Sequence, residues 1–169
     1  MELGILKKWH IIFVKIRKYM NNHKTIYVLI GIPGAGKSYY RETNLNSLKY
    51  ISCDEIREKH FGQARSFEIR QKVTNIIKEN LRALGSENCD FVIDSTYFNK
   101  KSEREFLFEN FINYNIVAIY LNTSLERAIL QNSQRETHRK IAREMIEKFY
   151  NEIEPPIQIE PFYEILNIS

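Results

Sequence analysis

Residues 31–38 combine glycines with a lysine and a serine in the order Gly-Ile-Pro-Gly-Ala-Gly-Lys-Ser. In this G-x-x-x-x-G-K-S pattern, backbone N–H groups turn inward around a polyphosphate. Lys37 would reach the β- and γ-phosphates, and the Ser38 hydroxyl would ligate Mg²⁺. The pattern therefore predicts a nucleoside triphosphate site. Its predicted nucleotide-binding residues are Gly31, Pro33, Gly34, Ala35, Gly36, Lys37, Ser38 and Tyr39.

The flanking residues favour the strand–loop–helix that this pattern needs. Residues 25–30 form an apolar, β-branched run before the loop, and residues 39–42 can continue a helix after it. The start of that helix adds the positive end of its dipole to the anion site. An ordinary glycine turn is the alternative, but the Lys-Ser pair in this context argues against it.

Two carboxylates come at the ends of predicted strands. Asp54 follows the predicted strand 49–53, and Asp94 ends the strand 91–94. At the carboxyl ends of parallel strands both would face the phosphates. One could accept a proton from an attacking hydroxyl, while the other holds Mg²⁺ directly or through water. Each could instead cap a helix, and for Asp54 the two roles can coexist.

Two arginines are candidates for binding phosphate. Arg57 lies one helical turn after Asp54, where a guanidinium suits an acceptor that carries its own phosphate. A surface salt bridge is the alternative reading of that spacing. Arg135 belongs to the basic stretch 127–143, which could place an arginine over the transferring phosphoryl group. The other bases of that stretch fit a solvated helix face equally well.

Strand-like and helix-like segments alternate along the chain, which predicts an α/β domain with a parallel sheet of about five strands flanked by helices. The predicted strands are 25–30, 49–53, 91–94, 115–121 and 162–166. One predicted helix begins after Ser124 and is expected to bury Leu125, Ile129 and Leu130.

Residues 1–24 form a basic arm, and residues 25–169 form the predicted catalytic domain. The arm holds six Lys or Arg and one acid, whereas the domain holds nineteen bases and twenty acids. The net charge of +4 therefore does not by itself indicate nucleic acid binding. Apolar residues at helical spacing predict an amphipathic helix: Ile5, Trp9, Phe13, Ile16 and Met20. Such a helix could pack on its own domain, dock a partner or a second copy, lie on a membrane, or contact nucleic acid.

Two further features bear on location. No run of eighteen apolar residues predicts a membrane span. Cys53 and Cys89 suggest neither a disulfide framework nor a metal cluster, which fits a reduced, cytoplasmic compartment.

Taken together, these motifs resemble those of the phage-type polynucleotide 5′-hydroxyl kinases, within a group of small P-loop kinases that includes zeta-toxin and seryl-tRNA kinases. The resemblance rests on the glycine loop and on residues 52–57, 93–96 and 132–135, and it spans about residues 25–166. It implies a P-loop NTPase/kinase fold that uses ATP and Mg²⁺. It also implies transfer of the γ-phosphate to the 5′-hydroxyl of an RNA or DNA end.

The resemblance also assigns site residues. The family's Asp-x-x-Arg falls on Asp54 as general base and on Arg57, which would bind the phosphate next to the acceptor nucleoside. The lid arginine at the end of Asn-Ser-x-Arg falls on Arg135, which would act with Lys37 in catalysis. Asp94 and Thr96 match a substrate-binding Asp-x-Thr of the wider kinase group.

The sequence departs from the family at three points. Gln131 stands where a lid arginine is expected, and Tyr97 follows Asp94-Ser95-Thr96 where the family has asparagine. No Asp-x-Asp-Gly-Thr motif is present, so a kinase without a 3′-phosphatase activity is expected. Two alternatives stay open: a kinase for a small-molecule, nucleotide-sugar or tRNA-linked hydroxyl, and a nucleotide-dependent binding module.

Overall fold

The computed structural model describes residues 23–62 and 66–169. The strands are β1 (Lys24–Ile30), β2 (Lys49–Ser52), β3 (Phe91–Asp94), β4 (Tyr114–Leu121) and β5 (Glu164–Ile168). The helices are α1 (Lys37–Asn44), α2 (Cys53–Phe61), α3 (Phe67–Ser86), α4 (Lys101–Asn110), α5 (Leu125–Ser133) and α6 (Arg143–Glu152), with 3₁₀ helices at Thr96–Asn99 and Thr137–Arg139. The amphipathic helix predicted in the arm lies outside the described residues, since these begin at residue 23.

The five strands form one parallel sheet in the order β2-β3-β1-β4-β5. This confirms the predicted α/β fold with a five-stranded parallel sheet flanked by helices. Asp94, the last residue of β3, is in register with Ser52 of β2 and with Leu29 of β1. The ends of these three strands therefore meet at one edge of the sheet, where the glycine loop begins.

Alternate residues of the central strand β1 serve the two faces of the sheet, as the pleat of a strand requires. Ile26, Val28 and Ile30 lie in a core with α3 and α4, and Leu29 lies in a second core with residues of α5 and α6. Because β1 is covered on both faces, its apolar run could be recognised from sequence.

Within the described residues, three α-helices begin at serines whose hydroxyls accept a backbone N–H of the first turn. These serines are Ser52, Ser66 and Ser124, and the last of them was predicted. The cap of α2 is therefore Ser52, and Asp54 lies within the helix rather than at its cap.

Two details of the sequence reading were wrong. Leu130 was expected to be buried, but it is 59% exposed, because Ala128 and Asn132 occupy the inner side of α5. The last strand begins at Glu164 rather than at Phe162, whose ring packs edge-on against Phe108 in the core. Of the helices within the described ranges, none has both the length and the apolar character needed to span a bilayer.

Candidate active site

The glycine loop connects β1 to α1 and depends on two residues with positive φ. Gly34 has φ +86° and Gly36 has φ +88°, a region that other residues rarely adopt. A Cβ at Gly34 would lie 2.3 Å from the carbonyl oxygen of Ala128, so only glycine allows the loop to approach α5 this closely. Gly36 occupies the N-cap of α1 without any side-chain cap, which leaves the helix start suited to an anion.

The side chain of Lys37 is buried at the centre of the loop. Its Nζ donates to the carbonyl oxygens of Gly31 (2.8 Å) and Ile32 (2.9 Å). Burial lowers the pKa of Lys37 to about 8; Asp94 and Asp54 act in the opposite direction, and Arg135 reinforces the lowering. Charged groups from β3, α2 and the segment after α5 therefore all act on this ammonium group.

A cleft of about 400 Å³ opens beside the loop. Ser38 and Tyr39 line it from α1, and Gln131 and Arg135 line it from the opposite side. Tyr39 is largely exposed, whereas Pro33 and Ala35, within the loop, are buried. Another cleft, of about 430 Å³, is lined by Gly85 near the end of α3 and by Tyr114 at the start of β4, and it contains none of the predicted site residues.

Asp94 is buried at the end of β3, and its Oδ2 has no hydrogen-bond partner among the described residues. Arg41 of α1 brings its Nε to 3.7 Å from this oxygen and stacks its guanidinium 3.7 Å above the ring of Tyr50. Sequence reasoning missed Arg41, since nothing in the local pattern marks a helix arginine as buried.

The buried Oδ2 of Asp94 indicates whether this site could hold Mg²⁺. A carboxylate oxygen without a hydrogen-bond partner, close enough to the phosphate-binding loop to act on Lys37, has the hard donor character that Mg²⁺ prefers. No cluster of three or more His, Cys, Asp or Glu suited to a metal occurs in residues 23–62 and 66–169. The carboxylate of Asp94 and the hydroxyl of Ser38 are oxygen donors of the kind that Mg²⁺ takes together with phosphate oxygens, so the residues present fit this ion.

The first turn of α2 brings Asp54 and Arg57 together. Arg57 Nη1 donates to Asp54 Oδ1 at 2.5 Å, and Nη2 donates to the Sγ of Cys53 at 3.2 Å. The pKa of Arg57 is raised: burial acts against its charge, but Cys53 and Asp54 outweigh this effect. The Asp54 side chain is 41% exposed, so solvent can reach it.

Thr96 lies two residues beyond Asp94, at the start of the first 3₁₀ helix, and is half-buried. Ser95 begins this turn and accepts the N–H of Tyr97. At the far end of the turn, Asn99 bonds to Gly31 through both ends of its amide, a contact that sequence reasoning missed.

The segment between α5 and α6, residues 134–142, contributes several residues to the lining of the cleft, and we call it the lid. Asn132 holds its two ends together, since its amide donates to the carbonyl of Ile141 and accepts the N–H of the same residue. Arg135 lines the cleft from the lid and is half-buried. His138 of the lid lies 3.8 Å from Glu58 of α2, a contact that was not predicted. The structure thus brings Arg135 to the same cleft as Ser38.

Solved structures with the same fold include a chain of the Pnkp1/Rnl/Hen1 RNA repair complex, with a TM-score of 0.66 at 19% identity. That match covers 78% of this chain but only 44% of the other, so this chain spans less than half of that protein. A sugar kinase from Janibacter sp. has a TM-score of 0.62 at 17% identity, with 86% of each chain covered.

A third structure is Kti12 from Chaetomium thermophilum in complex with ADP-AlF3, with a TM-score of 0.61 at 18% identity. The match covers 85% of this chain and 88% of that one. These likenesses show a P-loop kinase fold. The sequence itself matches the AAA_33 family, described as an AAA domain, over residues 26–156, and the chain therefore belongs to this family.

Proposed function

We propose that this chain is an ATP- and Mg²⁺-dependent kinase that transfers the γ-phosphate of ATP to the 5′-hydroxyl of a polynucleotide. The observation that carries the proposal is the Asp54–Arg57 pair at the start of α2. Its two side chains are joined at 2.5 Å, and Asp54 acts electrostatically on Lys37 of the glycine loop.

Asp54 is the general base of this proposal. Its carboxylate is accessible to solvent and would accept the proton of the attacking hydroxyl. The adjacent Arg57 carries five N–H donors, of which the bonds to Asp54 and Cys53 use two. A guanidinium beside the base suits an acceptor whose hydroxyl is followed by a phosphodiester, which a nucleic acid end provides.

The transferring group would be held from the other side. Lys37 and the lid residue Arg135 supply positive charge to the phosphoryl oxygens. Ser38 and Asp94 would hold Mg²⁺, and Thr96 would contact substrate. When bound, Mg²⁺ neutralises charge on the β- and γ-phosphates.

A small-molecule acceptor is the second candidate. Residues 25–169 hold nineteen bases and twenty acids, so the domain lacks the excess positive charge that favours long nucleic acids. The Janibacter sugar kinase also matches over 86% of its own length, which supports a compact kinase of similar size.

A labelling experiment separates these candidates. The protein is incubated with radiolabelled ATP and Mg²⁺ in the presence of 5′-hydroxyl RNA or DNA oligonucleotides, tRNA, sugars or UDP-sugars. Label is expected on the 5′-hydroxyl oligonucleotides and not on identical oligonucleotides that already carry a 5′-phosphate. Label on a sugar alone would establish the second candidate, and nucleotide binding without any labelled acceptor would indicate a binding module.

A further inference from the structure

The side chain of Asn99 pairs with both polar backbone groups of Gly31. Its Oδ1 accepts the Gly31 N–H at 3.0 Å, and its Nδ2 donates to the Gly31 carbonyl at 3.0 Å. The pairing of β1 ends at Leu29 towards β3 and at Ile30 towards β4, so Gly31 lies just beyond the sheet. The side chain of Asn99, which is 3% exposed, therefore supplies the hydrogen bonds that a neighbouring strand would otherwise give to Gly31.

The same carbonyl of Gly31 is one of the two acceptors of Lys37. An ammonium group has three N–H donors, and the carbonyls of Gly31 and Ile32 take two of them. The direction of the third donor is consequently fixed by the positions of these two oxygens. The Ile32 oxygen is held by the N–H of Ala35 at 3.1 Å, and the Gly31 oxygen is held by Asn99.

Asn99 is itself held in place by two donors, one from the chain that follows α6 and one from α4. Its own carbonyl accepts the N–H of Glu154 at 3.0 Å and Nη1 of Arg104 at 3.2 Å. Arg104 is fully buried and pairs through Nε and Nη2 with Glu160, at 2.7 and 2.9 Å. The position of Asn99 is therefore set by a buried network rather than by its own short turn.

We propose that Asn99 is a positioning residue for phosphate binding: it fixes the Gly31 carbonyl and thereby aims the ammonium group of Lys37. The proposal rests on the proposed function only in taking Lys37 as the phosphate-binding group. Neither the acceptor nor the transfer step enters it.

Two variants test this role by isothermal titration calorimetry with Mg²⁺ and the non-hydrolysable analogue AMP-PNP. Asn99→Leu keeps the approximate volume but leaves the Gly31 N–H without this acceptor and the Gly31 carbonyl with Lys37 alone, and affinity should fall about 5- to 150-fold. Asn99→Asp gives a sharper readout. A neutral carboxyl group donates to the Gly31 carbonyl and accepts its N–H, as the amide does, whereas the ionised group has no donor.

The ratio of wild-type to Asn99→Asp affinity should therefore approach one at pH 5.5 and grow about tenfold or more by pH 7.5. Dividing by the wild-type value at each pH removes the titration of the analogue itself. Asn110→Asp makes the same chemical change at an exposed position of α4 and should leave the ratio at one throughout. Unfolding midpoints without nucleotide, measured at each pH, control for loss of fold.

A ratio for Asn99→Asp that does not change with pH overturns the proposal, whether affinity stays at the wild-type level or is uniformly reduced, because a uniform loss indicates a general packing role. This pH ratio decides the matter even if Asn99→Leu fails to fold. If the wild-type protein binds AMP-PNP but labels no oligonucleotide, the proposed acceptor is wrong and the test of Asn99 is unaffected.

Discussion

Arg104 and Glu160 form a two-point ion pair in which the arginine side chain is 0% exposed and the glutamate side chain 1%. The guanidinium also donates to the carbonyls of Phe98, Asn99 and Glu154. The pair thus joins α4, the 3₁₀ helix after β3 and the chain after α6 at a single buried point.

Removing one partner of this pair should be strongly destabilising, because the other charge is left buried alone. We expect Arg104→Met to lower the free energy of unfolding by about 3–5 kcal/mol, measured by urea titration. The double variant Arg104→Met/Glu160→Met should recover much of this loss, since it removes both charges. A double variant no more stable than the single one would show that the pairing itself carries little of the effect.

Asp54→Asn should separate catalysis from nucleotide binding. If Asp54 is the general base, turnover falls about 10²- to 10⁴-fold, while the affinity for AMP-PNP changes little. Steady-state kinetics and calorimetry measure the two quantities. Glu58→Gln, the same change one turn along α2 at an exposed carboxylate, serves as the matched control and should keep turnover within a few-fold. Weakened nucleotide binding with normal turnover in Asp54→Asn would contradict the assigned role.

The depressed pKa of Lys37 predicts a pH dependence for ATP capture. The ammonium form binds phosphate, and it is lost as the pH rises through about 8 in the free protein. We therefore expect kcat/KM for ATP to be constant below that pH and to decline above it. In Lys37→Arg the guanidinium stays protonated, so the remaining activity should not decline over the same range. A wild-type profile that stays level to pH 9.5 would show that the charge of Lys37 does not limit ATP capture.

Gly34→Ala and Gly62→Ala provide a matched test of the close approach between the loop and α5. Both positions have positive φ, so both variants should lose about 1–3 kcal/mol of stability from backbone strain. At Gly34 the new methyl group would also collide with the carbonyl of Ala128, whereas at Gly62 it would meet no atom of the described residues within 4 Å. Calorimetry should show AMP-PNP binding lost in Gly34→Ala and retained in Gly62→Ala. Retained binding in both would mean that the loop can move away from α5.

The sequence allowed the sheet and the glycine loop to be predicted because their signals are local. β1 is an unbroken apolar run next to the loop motif, and the ends of β2 and β3 are marked by Ser52 and Asp94. The same local reasoning was wrong at Phe162, whose burial comes from contact with Phe108 rather than from a strand.

The long-range contacts that hold the site in place could not be predicted from local patterns. Asn99 meets Gly31 across 68 residues, and Arg104 meets Glu160 across 56. No periodicity or spacing rule connects positions so far apart. Arg41 was missed for a related reason, because a basic residue on a helix is normally solvated and only the fold places it against Asp94.

These long-range supports have a consequence for synthesis on the ribosome. The glycine loop is translated before Asn99, and Glu160 follows later still. A nascent chain that has reached only α4 therefore contains the loop and Asn99 but still lacks Glu154 and Glu160, which hold Asn99 and Arg104 in place. During that interval the apolar faces of β1 and β3 await α5 and α6, which makes the unfinished chain a target for chaperones.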